Sequence, residues 1–302
     1  MSRVMDLLNQ TTTVINSIKG SAPMTQGQYS CEFFPIRANE GHQRARESRL
    51  ALTELNPEFY SVTSGAGGST REGTLEAIEE IAEEGVTPAV PHLTGVGETR
   101  ESVSALLEHY RSIGVQRLVV LRGDRPSGMI EHGDFRYAIE LIEFIRERSG
   151  SAFHIDVAAY PEAHPETPSF REDIGFFRDK VKAGADSAIT QYFYNVDAYL
   201  RFRDDISDLG VTIPVVPGIM PITNYKQLAR FSDTCGTEIP RWIRRRLEDY
   251  QDDLDSLRAF GADVVALLCN QLIEGDAPGL HFYTLNRSGP VLRVVKAMGS
   301  LA

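Results

Sequence analysis

The side chain with the clearest chemical potential is Glu32, which lies inside the stretch Ser30-Cys31-Glu32-Phe33-Phe34-Pro35. This stretch is aromatic and apolar and ends at a proline, which cannot extend a sheet ladder, so it predicts a short buried strand. A carboxylate among apolar neighbours is costly unless it is neutralised, paired or used in chemistry. Glu32 is therefore a candidate catalytic acid, and a salt bridge to a nearby arginine is the structural alternative.

Polar groups also stand at the ends of the other apolar runs. They are Thr63, His92, Arg122, Gly123, Asp124, Tyr160, Gln191, Gly218 and the stretch 284–287. Together with the acid Glu32, this set holds a second carboxylate, an amide and aromatic rings. Such groups suit proton transfer and the binding of flat heterocycles, with a cofactor carrying the difficult step.

Several other chemistries lack their residues. None of the five lysines lies in a predicted strand, which argues against a Schiff-base enzyme. The chain has no HxH or HExxH pattern, although His92, His164 and His281 could still meet in space. It also has no GxSxG elbow of the kind found in serine hydrolases. We therefore expect no metal and no covalent nucleophile.

The elements that must position these residues alternate between strand and helix. Predicted strands cover 29–35, 59–64, 87–93, 117–123, 154–160, 187–193, 212–220 and 280–286, each followed by a helical pattern. Eight such units predict an α/β fold of the (β/α)₈ TIM-barrel type, with a lead-in helix over 4–18 and extra helices over 240–250 and 252–274. A doubly wound sheet is the alternative, but its glycine fingerprint fails at Thr70. We expect one catalytic domain over 1–302.

Composition limits the setting and the partners. The 302 residues carry a net charge of -11 with scattered Lys and Arg, which argues against a nucleic-acid surface. The three cysteines form no CxxC pair, as is typical of a reducing cytoplasm. The N-terminus lacks the apolar core of a signal peptide, and we find no apolar run long enough for a membrane span. We predict a cytoplasmic protein in which local cations hold any anionic cofactor.

Six motifs in register carry a family resemblance. They are CEFFP at 31–35, LRGD at 121–124, AAYPEAHP at 158–165, ITQYF at 189–193, PGIMP at 217–221 and HFYTLNR at 281–287. Together they resemble the bacterial methylenetetrahydrofolate reductase family. The resemblance implies a barrel that binds FAD without covalent attachment. It also implies reduction of 5,10-methylenetetrahydrofolate to 5-methyltetrahydrofolate with electrons from NADH or NADPH, in one-carbon and methionine metabolism.

The resemblance also implies roles for individual residues. Glu32 matches the general acid that protonates a folate nitrogen, and Asp124 matches the aspartate near the flavin and pterin. Gln191 and Arg287 match folate-binding positions, while Tyr225 stands where many members have Phe and would stack on folate or nicotinamide. The positions similar to FAD-binding ones are Thr63, Ala66, His92, Arg122, Gly123, Asp124, Tyr137, Ala138, Tyr160, His164, Asp173 and Lys180.

Alternatives remain for the residues and for the function. Tyr160 and His164 could be rim packing, Lys180 an exposed helix charge, and Arg287 a surface ion-pair partner. A pterin-binding methyltransferase barrel and a non-catalytic flavin subunit are the competing functions. The resemblance further implies a homo-oligomer, and a chain without the C-terminal regulatory domain of eukaryotic relatives. The loop 125–136 and the segment 242–257 have no assigned role.

Overall fold

The fold is taken from a computed structural model that describes residues 29–36, 39–64, 68–124, 133–250 and 252–299. The predicted lead-in helix, Ala66 and most of the loop 125–136 lie outside these residues. The described strands are β1 (Tyr29–Phe33), β2 (Phe59–Val62), β3 (Ala89–Thr94), β4 (Arg117–Leu121), β5 (His154–Ala159), β6 (Ser187–Thr190), β7 (Val215–Val216), β8 (Gly218–Ile219) and β9 (Leu280–Tyr283).

Helices follow the strands as the sequence pattern predicts. The described helices are α1 (Asn39–Leu52), α2 (Gly68–Glu84), α3 (Arg100–Ser112), α4 (Ala138–Ser149), α5 (Phe170–Lys182), α6 (Val196–Asp208), α7 (Tyr225–Cys235), α8 (Arg241–Asp249), α9 (Leu254–Glu274) and α10 (Ser288–Ala297). The extra helices before the last strand are therefore confirmed as α8 and α9.

All strand pairs in the sheet are parallel, and their order is β7-β6-β5-β4-β3-β2-β1-β9-β8. The predicted seventh strand is split at Pro217, because proline has no N–H to donate to the ladder. Its first half pairs with β6 and its second half with β9. This broken strand joins the two edges of the sheet, so the barrel prediction is confirmed.

Two apolar clusters divide the core. The larger one lies between the strands and the surrounding helices. The smaller one holds Phe59, Val90, Val119 and Ile189, one residue from each of four strands, and fills the inside of the barrel. Because strand side chains alternate between the two faces, Glu32 and His92 also point inward, toward the carboxyl ends of the strands.

Polar groups close the opposite end of the barrel. Arg117 Nε and Nη2 donate to the two carboxylate oxygens of Asp156 at 2.5 and 2.9 Å. The Asp156 side chain is fully buried, and the Arg117 guanidinium lies 4.2 Å from the centre of the Phe59 ring. This buried bidentate pair joins β4 to β5 beneath the apolar interior.

Helix α9 corrects one prediction. By length and composition it could cross a membrane, with a mean hydropathy of 1.3, so the prediction that no apolar run reaches this length is wrong. However, 56% of its most apolar window is buried inside the protein. Val265, Cys269 and Leu272 are fully buried there, and a core helix of this kind meets the same two criteria.

Candidate active site

Glu32 lies one residue before the end of β1, in register with Ser61 on β2 and Tyr283 on β9. Its side chain is 20% exposed, and its Oε2 atom lies 3.4 Å from His92 Nε2 and 3.8 Å from His281 Nε2. Within the described part of the chain, no lysine or arginine forms an ion pair with Glu32. The predicted alternative of a salt bridge to arginine is therefore not what holds this carboxylate.

The two histidines beside Glu32 are buried. The Nδ1 atom of His281 is 2.7 Å from the Ser30 hydroxyl, which holds that ring in place from the same strand as Glu32. Burial lowers the pKa of His92, an effect that the nearby Glu32 carboxylate opposes. A neutral His92 does not form an ion pair with Glu32.

A cavity of about 810 Å³ opens at the carboxyl ends of β3 to β5. Nine of the twelve predicted FAD positions line it, namely Arg122, Gly123, Asp124, Tyr137, Ala138, Tyr160, His164, Asp173 and Lys180. Its volume falls in the range of about 300–1,000 Å³ that is typical of small-molecule sites.

Of the other three FAD positions, the structure describes two, and neither lines this cavity. His92 contacts Glu32 and is not a lining residue of this cavity. The main chain of Thr63 follows β2, where its N–H donates to Phe33 O at 2.9 Å and its carbonyl accepts from Thr74 Oγ1 at 2.9 Å. Ala66 lies outside the described residues.

Gly123 shows why the Arg-Gly-Asp stretch turns sharply at the end of β4. Its φ is +87°, a left-handed conformation that residues with a side chain rarely adopt. A Cβ atom there would also lie 3.0 Å from Thr94 Cβ. Glycine thus lets the main chain border the cavity between Arg122 and Asp124. Arg122 Nη1 donates to Glu166 at 2.7 Å, and this bond raises the pKa of the guanidinium.

Lys180 is half-buried in the lining of the cavity and is not the exposed charge that the sequence left as an alternative. Its Nζ donates to the carbonyl of Ala158 and lies 5.5 Å from the Phe177 ring centre. Burial lowers the pKa of Lys180 to about 8, although Asp173 opposes the shift. Tyr160 and His164 pack edge to face at 4.7 Å and both border the same cavity.

Some residues that line the larger cavity were not predicted from the sequence. Arg71, Thr94, Glu98, Ser102 and Phe176 also border the cavity, and Phe176 is 52% exposed. Thr94 ends β3, and the other four lie on helices or in a loop, all outside the family motifs. An exposed aromatic residue on a helix carries no local signal that distinguishes it from surface variation.

A second pocket of about 210 Å³ lies where β9 ends. Phe34, Thr223, Gln227, Tyr283 and Arg287 are among the residues that line it. Tyr283 donates to Thr190 O at 2.7 Å and interacts electrostatically with both Glu32 and Tyr160. Tyr283 therefore connects Glu32 with the pocket that contains Arg287 and, through Tyr160, with the larger cavity.

Two predicted substrate residues lie apart from both cavities. Gln191 follows β6, is half-buried, and accepts a bond from the N–H of Tyr192 through Oε1 at 3.0 Å. Tyr225 begins α7, next to Thr223, and its hydroxyl donates to Glu248 at 2.8 Å. Neither residue lines either cavity, so their proposed contacts with substrate stay predictions. In the part of the chain that the structure describes, no group of His, Cys, Asp or Glu is placed to hold a metal ion.

Comparison with known proteins settles the family. The family model described as methylenetetrahydrofolate reductase matches residues 18–299. The chain belongs to this family. It is 36% identical over 285 residues to 5,10-methylenetetrahydrofolate reductase of Salmonella typhimurium, covering 94% of this chain and 95% of the relative. The Escherichia coli enzyme is 35% identical over 286 residues, with the same coverage.

The plant members of this methylenetetrahydrofolate reductase family are longer. The relative named methylenetetrahydrofolate reductase (NADH) 1 of Arabidopsis thaliana is 35% identical over 299 residues, which span 95% of this chain but half of the relative. A Clostridium thermocellum protein that binds two copies of 5-methyl-5,6,7,8-tetrahydrofolic acid has the same fold, with a TM-score of 0.64 at 15% identity. The match covers 90% of this chain and 94% of that one.

Proposed function

We propose that this protein reduces 5,10-methylenetetrahydrofolate to 5-methyltetrahydrofolate, with FAD as a non-covalent cofactor and NADH or NADPH as the electron donor. One observation carries the proposal. Glu32 pairs in register with Tyr283, which borders the pocket that contains Arg287. Tyr283 also interacts with Tyr160, which lines the cavity that holds nine of the predicted FAD positions. This is the arrangement expected of an acid that serves a substrate next to a cofactor.

The larger cavity offers the groups that a dinucleotide needs. Arg122 and Lys180 would neutralise the pyrophosphate, since both are cations that border the cavity. Tyr137 and Phe176 are about half exposed at its rim and offer flat apolar faces to a ring. When bound, FAD supplies the hydride chemistry that amino-acid side chains cannot provide.

The proton would come from Glu32. Opening the five-membered ring of the folate requires protonation of a ring nitrogen, and Glu32 is an inward-pointing acid at the carboxyl end of β1. The carboxylate of Asp124, which borders the larger cavity, would stabilise the iminium cation that ring opening creates. The two carboxyl groups thus have different roles, one as proton donor and one as a fixed negative charge.

Folate binding would use the opposite side of the site. Arg287 borders the smaller pocket and is suited to a carboxylate of the glutamate tail. The amide of Gln191 offers a donor and an acceptor to the edge of the pterin. We keep Tyr225 as a stacking residue for folate or nicotinamide, which requires its ring to turn from the Glu248 contact.

The test is a spectrum followed by turnover. The purified protein should be yellow and release FAD, and not FMN, on denaturation. It should then oxidise NADH or NADPH only while methylenetetrahydrofolate is supplied, with 5-methyltetrahydrofolate as the product. Colourless protein that cannot be reconstituted with FAD would refute the proposal that FAD is the cofactor. A yellow protein without folate turnover would point to the non-catalytic flavin subunit instead.

A further inference from the structure

The turn between β9 and α10 has an unusual backbone. Leu285 and Asn286 are consecutive residues with φ of 49° and 57°, the left-handed region that residues other than glycine rarely adopt. Such conformations persist where the surrounding contacts hold them, and they cluster at functional sites. Here the contacts lead to β1, the strand that carries Glu32. The hydroxyl of Thr284 donates to Glu32 O at 2.6 Å and accepts from the N–H of Asn286 at 3.0 Å.

The side chain of Asn286 holds the residue that follows β1. Its Oδ1 accepts from the N–H of Phe34 at 2.9 Å, and its Nδ2 donates to Phe34 O at 2.9 Å. Asn286 is 9% exposed, and its own carbonyl accepts from Ser48 Oγ at 3.0 Å. One buried amide thus binds both main-chain groups of Phe34, directly after the strand has ended.

The ring of Phe34 is 45% exposed even though its main chain is held on both sides. It borders the smaller pocket together with Tyr283 and Arg287. An exposed aromatic ring on a fixed backbone is already positioned to pack against another aromatic ring. The folate molecule brings such a ring into this pocket.

We propose that Phe34 is a folate-contacting residue and that Asn286 is the positioning residue that holds it there. This inference rests on the proposed function. In this arrangement the left-handed turn positions two walls of the pocket. It places Arg287 at one wall of the pocket, and through the Asn286 amide it fixes the aromatic wall formed by Phe34.

The test uses Asn286→Gly, because glycine accepts the left-handed backbone and removes only the amide. Loss of two hydrogen bonds of ordinary strength should raise the KM for methylenetetrahydrofolate about tenfold. The kcat and the affinity for FAD should change less than about twofold, since the turn borders neither Glu32's carboxylate nor the larger cavity. Binding of 5-methyltetrahydrofolate by calorimetry should weaken by the same factor as the KM.

A matched control and a double variant separate positioning from loss of structure. Asn56→Gly makes the same change at another left-handed asparagine, with φ 46°, at the end of the 3₁₀ turn Thr53–Leu55. It should leave the folate KM unchanged. Phe34→Ala should also raise the KM. The double variant Phe34→Ala with Asn286→Gly should have a KM no higher than that of the single variant with the higher KM, because Asn286 acts through Phe34.

Three results would overturn the inference. They are an unchanged folate KM in Asn286→Gly, an unchanged KM in Phe34→Ala, and additive effects in the double variant. Phe34→Ala alters an exposed side chain, so it gives an answer even if the Asn286 variant does not fold. A wild-type protein that binds no tetrahydrofolate would overturn the proposed function as well, which distinguishes that failure from the first three.

Discussion

Lys180, which lines the larger cavity, should make the affinity for FAD depend on pH. Lys180 has a pKa of about 8, lowered from its usual range by burial, so its charge changes within the working range of the protein. If its ammonium group neutralises a cofactor phosphate, only the protonated form favours binding. The affinity for FAD should therefore be highest below pH 8 and fall as the pH rises through that value.

The size of the effect follows from the titration. With a pKa of about 8, about nine-tenths of the lysine is charged at pH 7 and about one-tenth at pH 9. The dissociation constant for FAD should rise about tenfold between these pH values, which corresponds to about 1.4 kcal/mol. Burial moves the pKa of two neighbouring groups away from this window. Burial raises the pKa of Tyr160 to about 12 and lowers that of His164.

The assay is quenching of FAD fluorescence on titration of the apoprotein at several pH values. Lys180→Met keeps the length of the side chain and should show weaker binding with little dependence on pH from 7 to 9. Lys182→Met, on the exposed side of α5, should behave like the wild type. An FAD affinity in the wild type that does not depend on pH, or the same dependence in Lys180→Met, would refute the assignment of Lys180 to a phosphate.

Three further predictions follow from other contacts. Phe176→Ala should raise the dissociation constant of FAD about two- to tenfold by equilibrium dialysis, because a stacking face is lost; an unchanged value would remove Phe176 from the site. Arg117→Met should lower the free energy of unfolding in urea by about 3–5 kcal/mol, because it removes the bidentate arginine partner of the buried Asp156 and leaves this carboxylate only its contacts with Ser187 and His154; a loss below about 1 kcal/mol would contradict this. Tyr225→Ala should weaken folate or nicotinamide binding by about 0.5–1.5 kcal/mol beyond the lost contact area, with Tyr225→Phe mild; unchanged Michaelis constants for both substrates would exclude stacking.

The strand and helix pattern predicted the barrel but placed several strand ends too late. The predicted first and sixth strands extended to 35 and 193, whereas β1 ends at Phe33 and β6 at Thr190. Aromatic and apolar residues continue past both ends, so the local pattern gives no signal to stop. After β1, the main-chain groups of Phe34 bond to the side chain of Asn286 and not to a neighbouring strand.

The motifs contain Glu32 and several residues that line the larger cavity, for a physical reason. In a parallel barrel the carboxyl ends of all strands meet at one mouth, so residues at strand ends converge whatever their separation in sequence. Contacts that depend on side-chain direction were not predictable in this way. His92 was expected at the cofactor but turns inward to Glu32. The bonds from Asn286 to Phe34 join residues 252 positions apart, and no local pattern indicates them.

The most direct test of the account is Glu32→Gln, which keeps the size of the side chain and removes the acidic proton. Stopped-flow absorbance at the flavin band measures reduction by NADH or NADPH and reoxidation by methylenetetrahydrofolate as separate steps. Reduction needs no protein acid and should proceed at close to the wild-type rate. Reoxidation should slow by at least about 10²–10⁴-fold, the usual contribution of general acid catalysis. Equal slowing of both steps, or of neither, would show that Glu32 is not the proton donor to the folate.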